Sequence, residues 1–124
     1  MVHREDLSAK MNVEELRDYC LSLGDDVEER MPFGAFKAAQ GVLAFYTCGH
    51  IFCFFNIDDF EVVTVKCQPE RISMLAEQHD GIVAPYNMSP KHWIGIRPEL
   101  ADDVLMRELV RNSYKIIRIQ YGKQ

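Results

Sequence analysis

A chain of 124 residues, 48% hydrophobic and 27% charged, has the size and composition of one globular domain and leaves no room for a second. No run of about 18 apolar residues offers a membrane span, and the polar opening Met1–Lys10 lacks the apolar core of a signal peptide, so a soluble cytoplasmic protein is expected. The net charge of −5 works against unspecific attraction to phosphate backbones, but it is segregated: residues 1–30 hold nine acids against four Lys or Arg, residues 68–124 only seven against eight.

Met1–Lys10 reads as an extension ahead of the first helix signal. Asn12 can cap a helix, Glu15 three residues on can complete a capping box, and Met11 can staple onto Leu16. Val13, Leu16, Cys20 and Leu23 then form one apolar stripe and Gly24 stops it, which predicts a helix over about Val13–Leu23. Met31-Pro32-Phe33-Gly34 is a turn with apolar anchors. From Val42 the period drops to two, and Val42–Thr47, Ile51–Ile57 and Glu61–Cys67 predict an antiparallel meander. Ile51, Cys53, Phe55 and Ile57 are expected on one face, Phe52, Phe54 and Asn56 on the other, so the second face also needs a partial cover.

After Cys67 the pattern turns helical, with Pro69 and Glu70 in a first turn, an inner stripe of Ile72, Leu75, Ala76 and His79, and Gly81 as the stop. Ile82–Ala84 and Trp93–Ile96 read as short strands flanking a loop that Pro85 and Pro90 hold extended. Tyr86, Met88 and Trp93 are its anchors or the lining of a recess, and Lys91 and His92 are left for solvent. Beyond Pro98–Asp103 a last helix places Leu105, Leu109, Asn112, Ile116 and Ile117 inward, and Arg107, Arg111, Lys115 and Arg118 as a basic outer stripe. The core should enclose Leu16, Cys20, Phe54 or Phe52, Val65, Leu75, Trp93, Leu109 and Ile116.

Cysteines at 20, 48, 53 and 67 form no C-x-x-C pair and read as free thiols of a reducing compartment. Cys48, His50 and Cys53 are zinc-ligand types, but they are three, and Cys53 keeps strand phase with core residues, so no metal is expected. No G-x-S-x-G, P-loop or H-E-x-x-H occurs, and the histidines at 3, 50, 79 and 92 are scattered. A non-enzymatic protein without a cofactor is the expectation.

The segments in order carry a resemblance. Asn-Val-Glu-Glu-Leu at Asn12–Leu16, Pro32-Phe33-Gly34, Val65-Lys66-Cys67 before Pro69-Glu70, Tyr86 with Met88, Lys91-His92-Trp93 and Ser113-Tyr114 together are similar to the MmcQ/YjbR family, over residues 11 to about 118. The resemblance implies a CyaY-like α+β domain at residues 11–120, between the extension 1–10 and a tail 121–124, with an antiparallel sheet of about five strands packed by three main helices. It also implies DNA binding of the "double wing" kind, in which β-hairpins contact the duplex. In the first hairpin, Tyr46 and His50 stand where the family pattern has lysines, so that wing carries little positive charge.

Three readings follow. The first is weak, sequence-tolerant DNA binding by a monomer through Lys66, Lys91, His92, Arg97, Arg107, Arg111 and Lys115. The second is a protein-interaction or small-ligand module whose recess is lined by Tyr86, Met88 and Trp93. A third, suggested by the related frataxin-like fold, is a cation-binding acidic face at Glu14, Asp18, Asp25 and Asp26.

Overall fold

The computed structural model describes residues 9–122, so all but the last two residues of the extension expected at Met1–Lys10 lie outside the described residues. Helix α1 (Val13–Ser22) opens as its sequence requires: the Asn12 side chain accepts from the Glu15 N–H at 2.8 Å, and the Glu15 carboxylate accepts from the Asn12 N–H at 3.0 Å. Leu16 and Cys20 are its buried positions. Gly24 follows the helix, but its φ is not left-handed; a Cβ there would collide with the Tyr114 hydroxyl and stand 2.6 Å from Asp26 Oδ1. Close approach, and not helix termination, is what glycine supplies at this position.

The sheet has six strands, in the order β1-β2-β3-β4-β6-β5, with every neighbouring pair antiparallel. They are β1 (Glu28–Arg30), β2 (Val42–Thr47), β3 (His50–Asn56), β4 (Val63–Lys66), β5 (Ile82–Val83) and β6 (Trp93–Ile96). The meander and the strand, loop, strand segment stand where their patterns predict. β1 is the addition: three charged residues without apolar alternation, held at the edge by pairing with Tyr46, Phe45 and Ala44. Cys48 and Gly49, at φ 53° and 78°, make the tight β2–β3 turn in which both central residues are left-handed.

A bulge changes the expected phase of β3. Phe45 pairs with Cys53 but Tyr46 pairs with Ile51, so Phe52 is the extra residue. Phe52 therefore joins Cys53 and Phe55 in the main core, while Ile51 moves to the opposite face beside Phe54. The strict alternation of Ile51 with Cys53 and of Phe52 with Phe54 is corrected accordingly.

Helices α1, α2 (Pro69–Gln78) and α3 (Asp103–Tyr121) all send buried residues into that main core, where Leu16, Leu75, Leu109 and Ile117 meet Phe45, Val65 and Ile94. α3 lies across β3 and β4. Its cap is Asp102, which accepts from the Leu105 N–H at 2.9 Å, and the Asp103 N–H finds the Ala9 carbonyl at 2.8 Å. The buried stripe is Met106, Leu109, Val110, Ser113 and Ile117; Ile116 is half-buried and Asn112 turns to Gln68, with amide contacts of 2.9 and 3.0 Å. Trp93 is likewise half-buried, and Ala76 of α2 is exposed. The second sheet face, at Val42, Ala44 and Phe54, is covered in part by Phe33, Ala39 and Met88 from two loops.

Candidate functional site

Lys66 is the last residue of β4, and its backbone and side chain are held separately. Beyond the Cys53–Val65 pair the β3–β4 ladder stops, and the Ser113 hydroxyl accepts from the Lys66 N–H at 2.9 Å while donating to the Phe52 carbonyl at 2.6 Å. One buried serine thus satisfies two backbone groups that the bulge leaves off the ladder. The ammonium donates to Gln120 Oε1 at 3.0 Å and lies 5.8 Å from the Trp93 ring centroid and 5.9 Å from that of Tyr121. Tyr121 in turn stacks on His50, the first residue of β3, centroids 3.6 Å apart.

Two shallow depressions of about 320 and 350 Å³ adjoin at Lys66. One holds His50, Trp93, Met88 and Tyr121; the other holds His92, Gln68 and Gln120. Of the residues expected to bind nucleic acid, Lys66 and His92 therefore share one surface, and Lys91 adjoins His92 in sequence and is exposed. The others are elsewhere or engaged. Arg97 stands at the opposite end of β6 and pairs with Glu99 at 2.7 Å. Arg107 pairs with Asp103 at 3.8 Å and lies 5.0 Å over the Tyr19 ring, on the side of α3 that meets α1. Arg111 and Lys115 are exposed on α3, and Arg118 is drawn into an ion pair with Asp26 at 2.8 Å.

That last pair belongs to a second cluster. Asp26 accepts from the buried Thr47 hydroxyl, from the Tyr114 hydroxyl at 2.9 Å and from Arg118, which ties the loop after α1 to β2 and α3. The Thr47 hydrogen bond, with those of Tyr114 and the Arg118 charge behind it, holds the Asp26 carboxyl below the usual range. Burial, then the hydrogen bond to Asp26, pushes the Tyr114 phenol up. Asp26 is thus committed to internal partners, and among the described residues no group of three or more His, Cys, Asp or Glu is placed to hold a metal ion. No described histidine side chain is hydrogen-bonded to a hydroxyl, thiol or carboxylate, the arrangement that would activate a nucleophile.

Tyr86 and Met88 line a different space, on the second sheet face. The Tyr86 N–H donates to the buried Thr64 hydroxyl at 3.2 Å, and Asn87 takes φ 55°, a left-handed value that asparagine tolerates. The loop so held encloses, with Phe33, Phe36, Ile51 and Phe54, a recess of about 320 Å³. Trp93 does not line it; Ile51 and Met88 border both this recess and the Trp93 depression.

Sequence reasoning missed Tyr121, Gln120 and His50 as parts of the Lys66 surface. α3 runs through Tyr121, one residue past the domain end expected at 120, and the signal was the four-residue step Ser113, Ile117, Tyr121.

A family model described as YjbR matches residues 21–116. Two solved structures share the fold. A crystal structure of a Deinococcus radiodurans protein with a DUF419 domain superposes with a TM-score of 0.80 at 24% identity, covering 93% of this chain and 83% of the other. A Pseudomonas syringae protein does so with a TM-score of 0.70 at 21% identity, covering 86% of this chain and 98% of its own. Among curated proteins, none matches.

Proposed function

The chain belongs to the YjbR family, and from that premise we propose that it is a non-enzymatic, cytoplasmic DNA-binding protein of low affinity and low sequence specificity, acting as a monomer. The observation that carries the proposal is Lys66, a cation set between the Trp93 and Tyr121 rings, with His92 on the same surface and Lys91 next to it. A positive charge beside aromatic faces suits a phosphate with an adjoining sugar or base. Low specificity follows from the helix starts: Asn12 is spent on capping α1, Gln68 ahead of α2 pairs with Asn112 and Arg71 in its first turn pairs with Glu108, so none of them is left to read base edges.

The test is a titration of a 20-base-pair duplex, and of unrelated duplexes, at low and high salt. Lys66→Ala with Lys91→Ala should weaken all duplexes about equally and flatten the salt slope by roughly two units or less. No salt-sensitive binding at low ionic strength would remove DNA and leave the second reading, a small-ligand or protein-interaction module. What favours that reading is the recess beneath Tyr86 and Met88.

A further inference from the structure

The recess on the second sheet face has two unlike ends. Beyond Tyr86 it continues into a hollow of about 220 Å³, and the two parts share Ala38, Val42, Phe54 and Tyr86 as common walls. The first part is apolar and aromatic, whereas the second ends at Asn56, Asp59 and Glu61. Asp59 and Glu61 are exposed carboxylates with no ion pair among the described residues, and neither part is lined by a Lys, Arg or His. Asn56 is neutral and brings no charge to the recess; its side-chain oxygen accepts from the Asp58 and Asp59 N–H groups at 2.8 and 3.1 Å. Phe36 and Tyr86 stand at the rim 65% and 49% exposed, more apolar surface than a solvent-facing loop needs.

We propose that this recess binds a small organic amine: an aromatic or branched apolar body lies between Phe33, Phe36, Phe54 and Met88, and its ammonium group reaches Asp59 and Glu61. Charge complementarity selects the class, since an anionic ligand of the same shape would face two carboxylates with no compensating cation. Size selects a small molecule over a protein segment, because hollows of about 320 and 220 Å³ accommodate one ring and a short chain but leave a peptide's flanking amide groups unpaired. The site is on the face of the sheet opposite α3; it borders the Lys66 depression at Ile51 and Met88 but uses none of the cations of the nucleic-acid reading.

The experiment is an amide chemical-shift titration of the full chain, without nucleic acid, by phenethylamine and by its anionic counterpart 3-phenylpropionate. Phenethylamine should shift the amides of Ala38, Val42, Phe54, Glu61 and Tyr86–Met88 and bind at least about tenfold more tightly than the acid. Asp59→Asn with Glu61→Gln, both at exposed positions, should bring the two affinities within about threefold of each other. Ala38→Trp, which fills the shared wall from an exposed position, should abolish both. A capped Ala-Phe-Lys-Ala peptide, which carries the same groups as a protein partner would, should bind at least about tenfold more weakly than the amine. Equal binding of amine and acid, shifts confined to other surfaces, tighter binding of the peptide, or no binding of phenethylamine at millimolar concentration would each overturn the assignment. Neither the carboxylate variant nor Ala38→Trp alters a residue of the Lys66 depression, so failure here and failure of DNA binding are read separately.

Discussion

Ser113 is buried and polar, yet it is the residue that closes the β3–β4 ladder, through bonds to the Phe52 carbonyl and the Lys66 N–H. Ser113→Ala leaves both groups unpaired in the core, and denaturant unfolding should show a loss of about 2–4 kcal/mol. Its neighbour Tyr114 packs edge-on against Phe52, centroids 5.3 Å apart, and bonds Asp26 above the space that Gly24 leaves open. The Ser113-Tyr114 pair is therefore a fold device before it is anything else. Asp26 gives the matching pH behaviour. Its folded pKa lies below the unfolded value of about 3.9, so its ionised form contributes stability above that value, and the contribution is lost as pH falls through the lower folded pKa. Urea midpoints measured from pH 7 to pH 2 should fall less steeply on the acid side for Asp26→Asn, which keeps an acceptor but cannot titrate.

At the scale of elements, local chemistry and tertiary demand divide the work. α1 has a reciprocal capping box whose groups are all within four residues of one another, so Asn12→Ala should lower stability by about 1 kcal/mol, read as a shift in the denaturant midpoint at unchanged slope. β3 is different. Its hydrophobic run would satisfy either register, and the bulge at Phe52 is selected because it puts a third large side chain, with Cys53 and Phe55, under α3. α3 shows the same dependence: its stripe turns so that Ser113 faces the ladder gap and Asn112 faces Gln68, which moves Ile116 to a half-buried flank. Trp93, the one tryptophan, ends up as a wall beside Lys66 and not as a core plug.

For the whole molecule the balance of charge matters more than any single pair. The net charge of −5 opposes polyanions at long range, and at physiological ionic strength the opposition is screened beyond about 8 Å. The acids of β1 and of the loop before it are partly spent on Arg17–Glu29 and Asp26–Arg118 contacts, both at 2.8 Å. Those pairs also remove Arg118 from the basic stripe, as Asp103 does with Arg107, so the cation surface centres on Lys66 and not on the length of α3. The apolar recess meets the Lys66 depression only at Ile51 and Met88, which lets the two candidate surfaces be tested on one folded chain.

The helices, the meander and the strand, loop, strand segment are legible in the chain, because capping residues, period-two alternation and proline positions act within a few residues of one another, and the ordered motifs carry the family. The chain offered Tyr86, Met88 and Trp93 as anchors or as the lining of a recess, of which Tyr86 and Met88 line one, and it left Lys91 and His92 to solvent, where both are exposed. Which cations are engaged, that Arg97 lies at the far end of β6 from His92, and that Trp93 belongs to the Lys66 surface emerge from the folded packing alone. It alone brought Gly24, Asp26, Thr47, Tyr114 and Arg118 together, and it alone added β1 to the sheet. The physical reason is range: these arrangements join residues up to 92 positions apart, and which of several chemically adequate partners meet is settled by the packing of α3 on the sheet, a property of no local window.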